Sequence, residues 1–175
     1  LKNIENINIL DIGSASGAFL KASKDFGFKE TGYEPSKWMV DYGKAKYSVN
    51  LEQGRIQDIK SQKKFNMITF WDVIEHVTDL DITLNKIDEL STKDTILIIN
   101  VPDVDSIMCG LFKSKWPFYL NVHLYYFNKN SIKKIFNKIN FKLIDSFPHF
   151  QFLEIGYLCN RVLKYFKFFL FIEKL

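Results

Sequence analysis

Short apolar runs alternate with stretches of helical periodicity along most of the chain. This alternation is typical of βαβ units, which build a parallel sheet. The predicted strands are residues 7–12, 30–34, 49–53, 67–71, 95–101, 123–127 and 141–147. The predicted helices are residues 16–26, 37–46, 80–90 and 131–140. We therefore expect an α/β fold, a doubly wound sheet with helices on both faces.

Two segments do not follow the alternation. Residues 103–122 form a long irregular stretch, and loops of that length are usually functional or mobile. We expect residues 106–122 to be a lid whose aromatic side chains stack on a substrate. Residues 151–175 are apolar but interrupted by basic residues, so they predict a helical tail packed on a domain of residues 1–150 rather than a transmembrane helix. Weak contact of this tail with a membrane surface is the alternative.

Composition and charge narrow the class of partner. The 175 residues suffice for one domain, and a net charge of +4 is spread over scattered lysines, which disfavours nucleic acid as a partner. Two distant cysteines give neither a zinc spacing nor a disulfide framework, and we expect a cytoplasmic protein. The chain begins at Leu1 with a strand signal almost at once, so we expect it to be part of a longer chain.

The most informative local pattern is a loop of small residues between the first strand and the first helix. An apolar run ends at Asp11, and Gly13, Ala15 and Gly17 alternate before the helix begins. A strand, a tight turn and a helix start form the layout on which α/β proteins bind nucleotide-like ligands. We expect small residues here because a side chain would push the ligand away from the backbone.

Polar residues follow the next strands at the same predicted edge of the sheet. Glu34 lies at the tip of the second strand, where a carboxylate can accept hydrogen bonds from both hydroxyls of a ribose. Gln57 and Asp58 follow the third strand, where an amide or an acid can bind the amine of adenine. The fourth strand ends in residues 70–77, which are rich in polar and aromatic groups.

The spacing of the small-residue loop distinguishes two kinds of ligand. Dinucleotide folds prefer Gly-x-Gly-x-x-Gly, in which a helix N-terminus binds the pyrophosphate. Here the spacing is Gly13-x-Ala15-x-Gly17, and Asp11 stands just before it. A negative group beside the loop suits a cationic ligand better than a pyrophosphate. S-adenosylmethionine, with its sulfonium and amino groups, is such a ligand.

Four segments in order resemble the class I S-adenosylmethionine-dependent methyltransferases. They are LDIGSASG at residues 10–17, GYEPS at 32–36, GRIQDI at 54–59 and FNMITFWDVIEHV at 65–77. The resemblance continues to about residue 147. It implies a Rossmann-like, mostly parallel sheet of seven strands in the order 3-2-1-4-5-7-6, with strand seven antiparallel. It also implies S-adenosylmethionine as the cofactor and S-adenosylhomocysteine as the product.

The same resemblance implies which residues contact the cofactor. The loop would hold its methionine end, Glu34 its ribose, Asp58 and its neighbour Gln57 its adenine, and Trp71 would border it. The full predicted set is Asp11, Gly13, Ser14, Ala15, Gly17, Glu34, Pro35, Gln57, Asp58, Trp71 and Asp72. Ala15 stands where the family usually has glycine, so we expect its methyl group to crowd the loop slightly.

Two further segments narrow the resemblance to small-molecule methyltransferases. The sequence resembles quinone-ring O-methyltransferases and enzymes encoded with surface-polysaccharide genes in two places. One is residues 72–77, and the other is residues 116–118 followed by 123–127. The Asn- or Asp-Pro-Pro-aromatic element of methyltransferases that modify adenine or glutamine nitrogens does not occur in the sequence. We therefore expect a small-molecule acceptor with a hydroxyl group. The alternatives are a methyltransferase that acts on RNA or protein, and a non-catalytic relative.

A hydroxyl acceptor reacts poorly until it loses its proton, so a base is expected nearby. His123 is the first candidate because it follows the predicted lid, and His76 and Glu75 are the next candidates. Each has a structural alternative, namely packing on an edge strand or bracing of the following helix. A divalent ion bound by Asp72, Glu75 and His76 is conceivable, but polar loop residues are common without one, and no metal is predicted.

Overall fold

The structure is a computed structural model that describes residues 7–60 and 62–148. The chain divides into two compact units, residues 1–144 and 145–175, and the sheet lies in the first. Within the described residues, its sheet has five parallel strands in the order β3-β2-β1-β4-β5. The strands are β1 (Asn8–Ile12), β2 (Lys29–Glu34), β3 (Leu51–Gln53), β4 (Phe65–Trp71) and β5 (Ser91–Asn100). The predicted α/β architecture is thereby confirmed.

The central strand β1 fixes where the site lies. Leu10 pairs with Thr31 of β2 on one side and with Ile68 of β4 on the other, all in parallel. Ile68 and Leu10 are fully buried, as expected for inner strands of a sheet covered on both faces. Because parallel strands end at one edge, the loops that follow β1, β2 and β4 come together there.

Helices cover the sheet and form two separate core clusters. The helices are α1 (Ala18–Asp25), α2 (Lys37–Tyr47), α3 (Leu80–Leu90), α4 (Ile107–Phe112) and α5 (Lys129–Asn137). Leu20 of α1 and Val40 of α2 belong to one cluster, whereas Leu84 of α3 and Phe136 of α5 belong to the larger one. Ser36 caps the N-terminus of α2, since its hydroxyl accepts a hydrogen bond from the backbone N–H of Met39 at 3.4 Å.

The prediction of seven strands in the order 3-2-1-4-5-7-6 is wrong for the residues that the structure describes. Residues 123–127 make one isolated bridge, Asp103 with Phe127, because the N–H groups of Leu124 and Tyr125 bind the carbonyl of Glu75 instead of a neighbouring strand. Residues 141–147 have no strand structure, and nearly all of them are exposed. Aromatic and aliphatic residues predicted strands there, but no strand pairs with either segment in the described part of the chain.

Two other expectations about the second half have different outcomes. Residues 103–122, predicted to be irregular, contain the short helix α4, whose N-terminus is capped by Ser106. The predicted tail, residues 151–175, lies outside the described residues. In the part of the chain that the structure describes, no helix is both long and apolar enough to cross a membrane.

Candidate functional site

The small-residue loop after β1 has the backbone that its sequence predicts. Gly13, Ala15 and Gly17 adopt positive φ angles of 72°, 47° and 77°. The N–H groups of Gly13 and Ser14 both donate to the carbonyl of Tyr33, at 2.8 and 3.2 Å, which holds the loop against the end of β2. The loop is therefore a tight turn at the carboxyl edge of the sheet.

Packing within the protein gives a further reason for glycine at position 13, besides the predicted approach of a ligand. A Cβ atom on Gly13 would lie 2.4 Å from Cγ2 of Val73, in the loop after β4. At Gly17 it would lie 3.0 Å from Cγ2 of Val49. A side chain at either position would therefore crowd a valine of the protein itself.

Glu34 is held at the tip of β2 by two backbone groups. Its Oε2 accepts a hydrogen bond from the N–H of Ala15 at 3.0 Å, and its Oε1 accepts one from Ser36 at 2.9 Å. The carbonyl of Pro35 accepts a weaker bond from the amide of Gln53 at 3.3 Å. The carboxylate is thus fixed beside the loop, and each of its oxygens has further lone pairs to offer to a ligand.

Asp11 lies deeper than the sequence indicates. It is 1% exposed, its Oδ1 accepts a hydrogen bond from the hydroxyl of Thr69 at 2.5 Å, and its own carbonyl accepts one from Ser14 at 2.8 Å. Burial raises the pKa of Asp11 to about 6, against the opposite effect of its hydrogen bonds with Thr69 and Ser14. At neutral pH it is a charged group in a dry environment, which attracts a cation strongly.

The remaining predicted cofactor residues lie on two neighbouring loops. Gln57 and Asp58 are exposed on a 3₁₀ turn after β3, where Oδ2 of Asp58 accepts a hydrogen bond from the N–H of Arg55 at 2.8 Å. Trp71 at the end of β4 is 36% exposed, and its ring packs on Phe19 of α1 at 5.3 Å between centroids. A partly exposed aromatic ring at this edge offers a surface for stacking.

Asp72 has a strained backbone and a fixed side chain. Its φ angle is 55°, and its Oδ1 accepts a hydrogen bond from the amide of Asn100 at 2.7 Å. The N–H of Asp72 in turn donates to the carbonyl of Asn100 at 3.0 Å. Sequence reasoning missed Asn100 and Thr69. The available signal was a polar residue near the end of an apolar strand in both β5 and β4.

A second group of residues lies just beyond, on the loops after β4 and α4. Glu75, His76 and His123, which we call the histidine cluster, each present one oxygen or nitrogen within 4.8 Å of the other two. The rings of His76 and His123 meet edge to face at 4.7 Å between centroids. The structure therefore brings together all three predicted catalytic residues, although 47 positions separate His76 from His123 in the sequence.

The electrostatics of the histidine cluster are those of a partly dry site. Glu75 is 1% exposed, and burial raises its pKa to about 7, with a smaller contribution from the charge of Asp72. Burial, and then the proximity of His76, lower the pKa of His123. Because His123 is thereby neutral at physiological pH, its imidazole can accept a proton.

Aromatic side chains of the predicted lid pack on one another and on Tyr126, which lies beside the histidine cluster. The rings of Trp116 and Tyr119 meet at 5.2 Å, Tyr119 meets Tyr126 at 5.2 Å, and Tyr126 lies 5.9 Å from His123. Phe118 packs on Trp116 at 5.4 Å. We call Trp116, Phe118, Tyr119 and Tyr126 the aromatic wall. Such a wall suits an aromatic ring or the apolar face of a sugar.

Comparison with known sequences gives a family match over most of the chain. A model of the family described as "Methyltransferase domain" matches residues 1–146. The ubiquinone biosynthesis O-methyltransferase of Pelagibacter ubique (strain HTCC1062) is 27% identical over 103 residues, covering 56% of this chain and 43% of that protein. The chain therefore spans less than half the length of this curated relative.

Solved structures agree with the observed fold. A SAM-dependent methyltransferase from Archaeoglobus fulgidus superposes with a TM-score of 0.67 at 19% identity, covering 79% of this chain and 63% of the other. A chain of the complex between the Haloferax volcanii Trm112 methyltransferase activator and a methyltransferase gives 0.69 at 15% identity, covering 83% and 66%. At these identities the likeness shows the fold alone, a Rossmann-like α/β arrangement.

Proposed function

This chain belongs to the family of methyltransferases whose cofactor is S-adenosylmethionine, and we propose that it methylates a hydroxyl group of a small molecule. One observation carries the proposal. The segment after β4 borders both groups of residues, with Trp71 against Phe19 and Val73 against Gly13 on the side of the small-residue loop, and Glu75 and His76 in the histidine cluster. A methyl donor on one side would therefore face a proton acceptor on the other.

The cofactor residues are proposed from the geometry of the loop. Glu34 would bind the ribose hydroxyls, since its carboxylate is already oriented by Ala15 and Ser36. The buried charge of Asp11 would attract the amino group and the sulfonium at the methionine end. Trp71 would border the ligand, and Gln57 and Asp58 would bind the adenine from the exposed turn.

The protein would contribute alignment and a base to the reaction. Methyl transfer is an in-line displacement, and correct positioning of the reacting groups is worth about 7–11 kcal/mol. The aromatic wall would hold the acceptor with its hydroxyl toward the histidine cluster, and neutral His123 would take the proton. The acceptor oxygen then bonds to the methyl carbon as the carbon–sulfur bond breaks, and the electron pair of that bond returns to sulfur.

The relative from Pelagibacter ubique supports an oxygen acceptor, since its name describes O-methylation in ubiquinone biosynthesis. The aromatic wall is consistent with a ring-bearing acceptor of that class, or with a sugar, as the sequence predicts. Lysines are spread along the sequence rather than concentrated in one dense run, which disfavours RNA as the acceptor.

Calorimetry with S-adenosylmethionine, S-adenosylhomocysteine and NAD tests the cofactor, and a panel of phenols, sugars and amines tests the acceptor. We expect both sulfur ligands to bind, NAD not to bind, and methyl transfer to a hydroxyl compound to fall strongly in His123→Ala with unchanged cofactor affinity. Binding of NAD alone would contradict the cofactor. Methylation of amines, RNA or protein, with no hydroxyl compound accepted, would contradict the acceptor class.

A further inference from the structure

The lysines of α5 lack the acids that balance lysines on the other long helices. In α1, α2 and α3, the side chains of Lys21, Lys37 and Lys86 each form an ion pair with an acid three or four residues further along the same helix. Residues 128–144, which contain α5 and the turn after it, hold five lysines and neither aspartate nor glutamate. The positive charge of this segment is therefore not neutralised within the segment.

The spacing of these lysines is unfavourable for the helix. Lys129 and Lys133 lie four residues apart, and so do Lys134 and Lys138. Like charges at this spacing repel each other on one face of a helix and destabilise it. Asp81 of α3 lies 3.3 Å from Lys138, but in the described part of the chain no ion pair involves the other lysines of the segment. A bound anion would remove this repulsion.

Two of these lysines line one cavity at the C-terminal end of α5. The cavity has a volume of about 520 Å³, and its lining residues are Lys133, Asn137, Asn140, Phe141, Lys142 and Leu143. Lys133 belongs to α5, whereas Lys142 lies beyond the end of the helix. The fold, and not the helix alone, therefore places both ammonium groups at the cavity.

The turn after α5 gives the cavity a fixed backbone. Asn140 has a φ angle of 62°, and the N–H of Phe141 donates to the carbonyl of Phe136 at 3.1 Å. The N–H of Asn140 donates to the carbonyl of Asn137 at 3.2 Å. Free carbonyl groups at the C-terminus of a helix repel anions, but these two are occupied by N–H groups of the turn.

We propose that this cavity binds the phosphate group of a small organic molecule. The ammonium groups of its two lysines would neutralise the phosphate, and the side-chain amides of its two asparagines can donate N–H groups to the phosphate oxygens. The ring of Phe141 and the aliphatic side chain of Leu143 suit the carbon part of the ligand. Small-molecule sites are concave and have volumes of about 300–1,000 Å³, a range that includes this cavity.

The phosphate site is separate from the groups proposed for methyl transfer. None of its lining residues belongs to the small-residue loop, the histidine cluster or the aromatic wall. The proposal therefore goes beyond the proposed function and does not depend on it. Binding of a phosphate and binding of the cofactor can be measured independently on the same protein.

Calorimetry of the full chain with phenyl phosphate tests the site. We expect one phenyl phosphate per chain, bound more tightly than inorganic phosphate because the phenyl ring contacts Phe141. Lys133→Gln and Lys142→Gln should each weaken binding about tenfold, because a charge-assisted hydrogen bond is lost. Lys129→Gln and Lys134→Gln are the matched controls. They remove the same charge from the same helix outside the cavity, and they should change the affinity by less than about twofold.

The alternatives give different results. No binding of phenyl phosphate, or equal losses in all four variants, would overturn the cavity as a phosphate site. Binding to phosphatidylglycerol vesicles without binding of phenyl phosphate would show a membrane contact instead. Displacement of phenyl phosphate by S-adenosylhomocysteine would place the phosphate in the cofactor site and overturn the proposal.

The same titrations distinguish this proposal from the proposed function. Phenyl phosphate binding without S-adenosylhomocysteine binding would contradict the proposed function and support the phosphate site. All four lysines are exposed, so we expect the variants to fold and to retain their affinity for S-adenosylhomocysteine. Circular dichroism checks the folding. Loss of affinity for both ligands in Lys133→Gln and Lys142→Gln would show a general disturbance and overturn the assignment of these lysines.

Discussion

The small-residue loop and the histidine cluster lie at one edge of the sheet, yet they satisfy their polar groups in opposite ways. Around the loop, Glu34 and Asp11 have hydrogen-bond partners within the protein before any ligand is present. In the cluster, Glu75 and His123 have buried atoms for which the described residues offer no hydrogen-bond partner. The acids of the loop are therefore satisfied by neighbouring groups of the protein, whereas the described residues leave polar atoms of the cluster unsatisfied.

Large apolar side chains are exposed in both halves, such as Trp38 at 66% in α2 and Ile107 at 88% in α4, but more of them lie in the second half. The half proposed to bind the cofactor is therefore more completely packed than the half proposed to bind the acceptor.

The largest effect is expected on the free energy of unfolding, for a substitution at Gly13 in the small-residue loop. Gly13→Ala places a Cβ at a φ of 72° and 2.4 Å from Val73, so we expect a loss of about 2–5 kcal/mol in the free energy of unfolding. Gly27→Ala is the matched control, since its φ is 91° but nothing lies within 4 Å of the added atom, and it should lose only about 1–2 kcal/mol. Urea unfolding measures both, and equal losses would show that Val73 does not limit position 13.

The next effect concerns the buried charge of Asp11. Burial raises the pKa of Asp11 from its ordinary value of 3.8 to about 6 in the folded protein. The protonated carboxyl group therefore favours the folded state, and this contribution to stability is lost as the pH rises from about 4 through 6. A shift of this size corresponds to about 3 kcal/mol. Asp11→Asn should therefore be more stable than the wild type at pH 8 by up to that amount, but not at pH 4.

Unfolding curves at several pH values check this expectation. Thr69→Val removes a hydrogen bond that favours the charged form of Asp11, and it should enlarge the loss of stability with rising pH. Parallel curves for Asp11→Asn and the wild type across this range would contradict the proposed cost. Weaker binding of S-adenosylhomocysteine to the more stable Asp11→Asn protein would show that the charge serves the cofactor.

A smaller effect is expected at the tip of β2. Glu34→Ala should weaken binding of S-adenosylhomocysteine about tenfold, or about 1.4 kcal/mol, because charge-assisted hydrogen bonds to the ribose are lost. Glu30→Ala is the control, since Glu30 lies near the other end of the same strand and also accepts a backbone hydrogen bond, from Asn50 at 3.1 Å. Calorimetry should show unchanged affinity for the control, and equal effects in both variants would remove Glu34 from the cofactor site.

The smallest effect is expected at Ala15. Both Ala15 and Ser48 have positive φ angles, 47° and 53°, and replacement by glycine should change stability by less than about 1 kcal/mol in each case. If the methyl group of Ala15 crowds the cofactor, Ala15→Gly should also bind S-adenosylhomocysteine slightly more tightly, whereas Ser48→Gly should not. Identical affinities in both variants would show that the methyl group is harmless.

The two halves also differ in how far the sequence predicts them. β1 to β4 and helices α1 to α3 follow predictions within a few residues, because their polar and apolar periods are set by burial against a common sheet. Residues 123–127 are rich in residue types that favour strands, but the N–H groups of Leu124 and Tyr125 bind the carbonyl of Glu75. Residue type cannot distinguish a strand neighbour from a loop carbonyl as the hydrogen-bond partner.

The sequence predicted which residues form the candidate site, but not the hydrogen bonds between them. Residue types and spacing predicted Glu34, Asp11 and the histidine cluster. The bond of Asp11 to Thr69, and the turn of Asp72 toward Asn100, depend on registers between strands that are distant in the sequence. Burial of Glu75 likewise follows from how two loops meet, which no local pattern contains.

The contact between Gly13 and Val73 has a consequence for the descent of this protein. Position 13 is not free to vary alone, because a side chain there needs room that a smaller residue at 73 would provide. Among ancestral and descendant chains, alanine or serine at 73 should therefore precede any departure from glycine at 13. Substitutions in the loop after β1 therefore depend on earlier substitutions in the loop after β4.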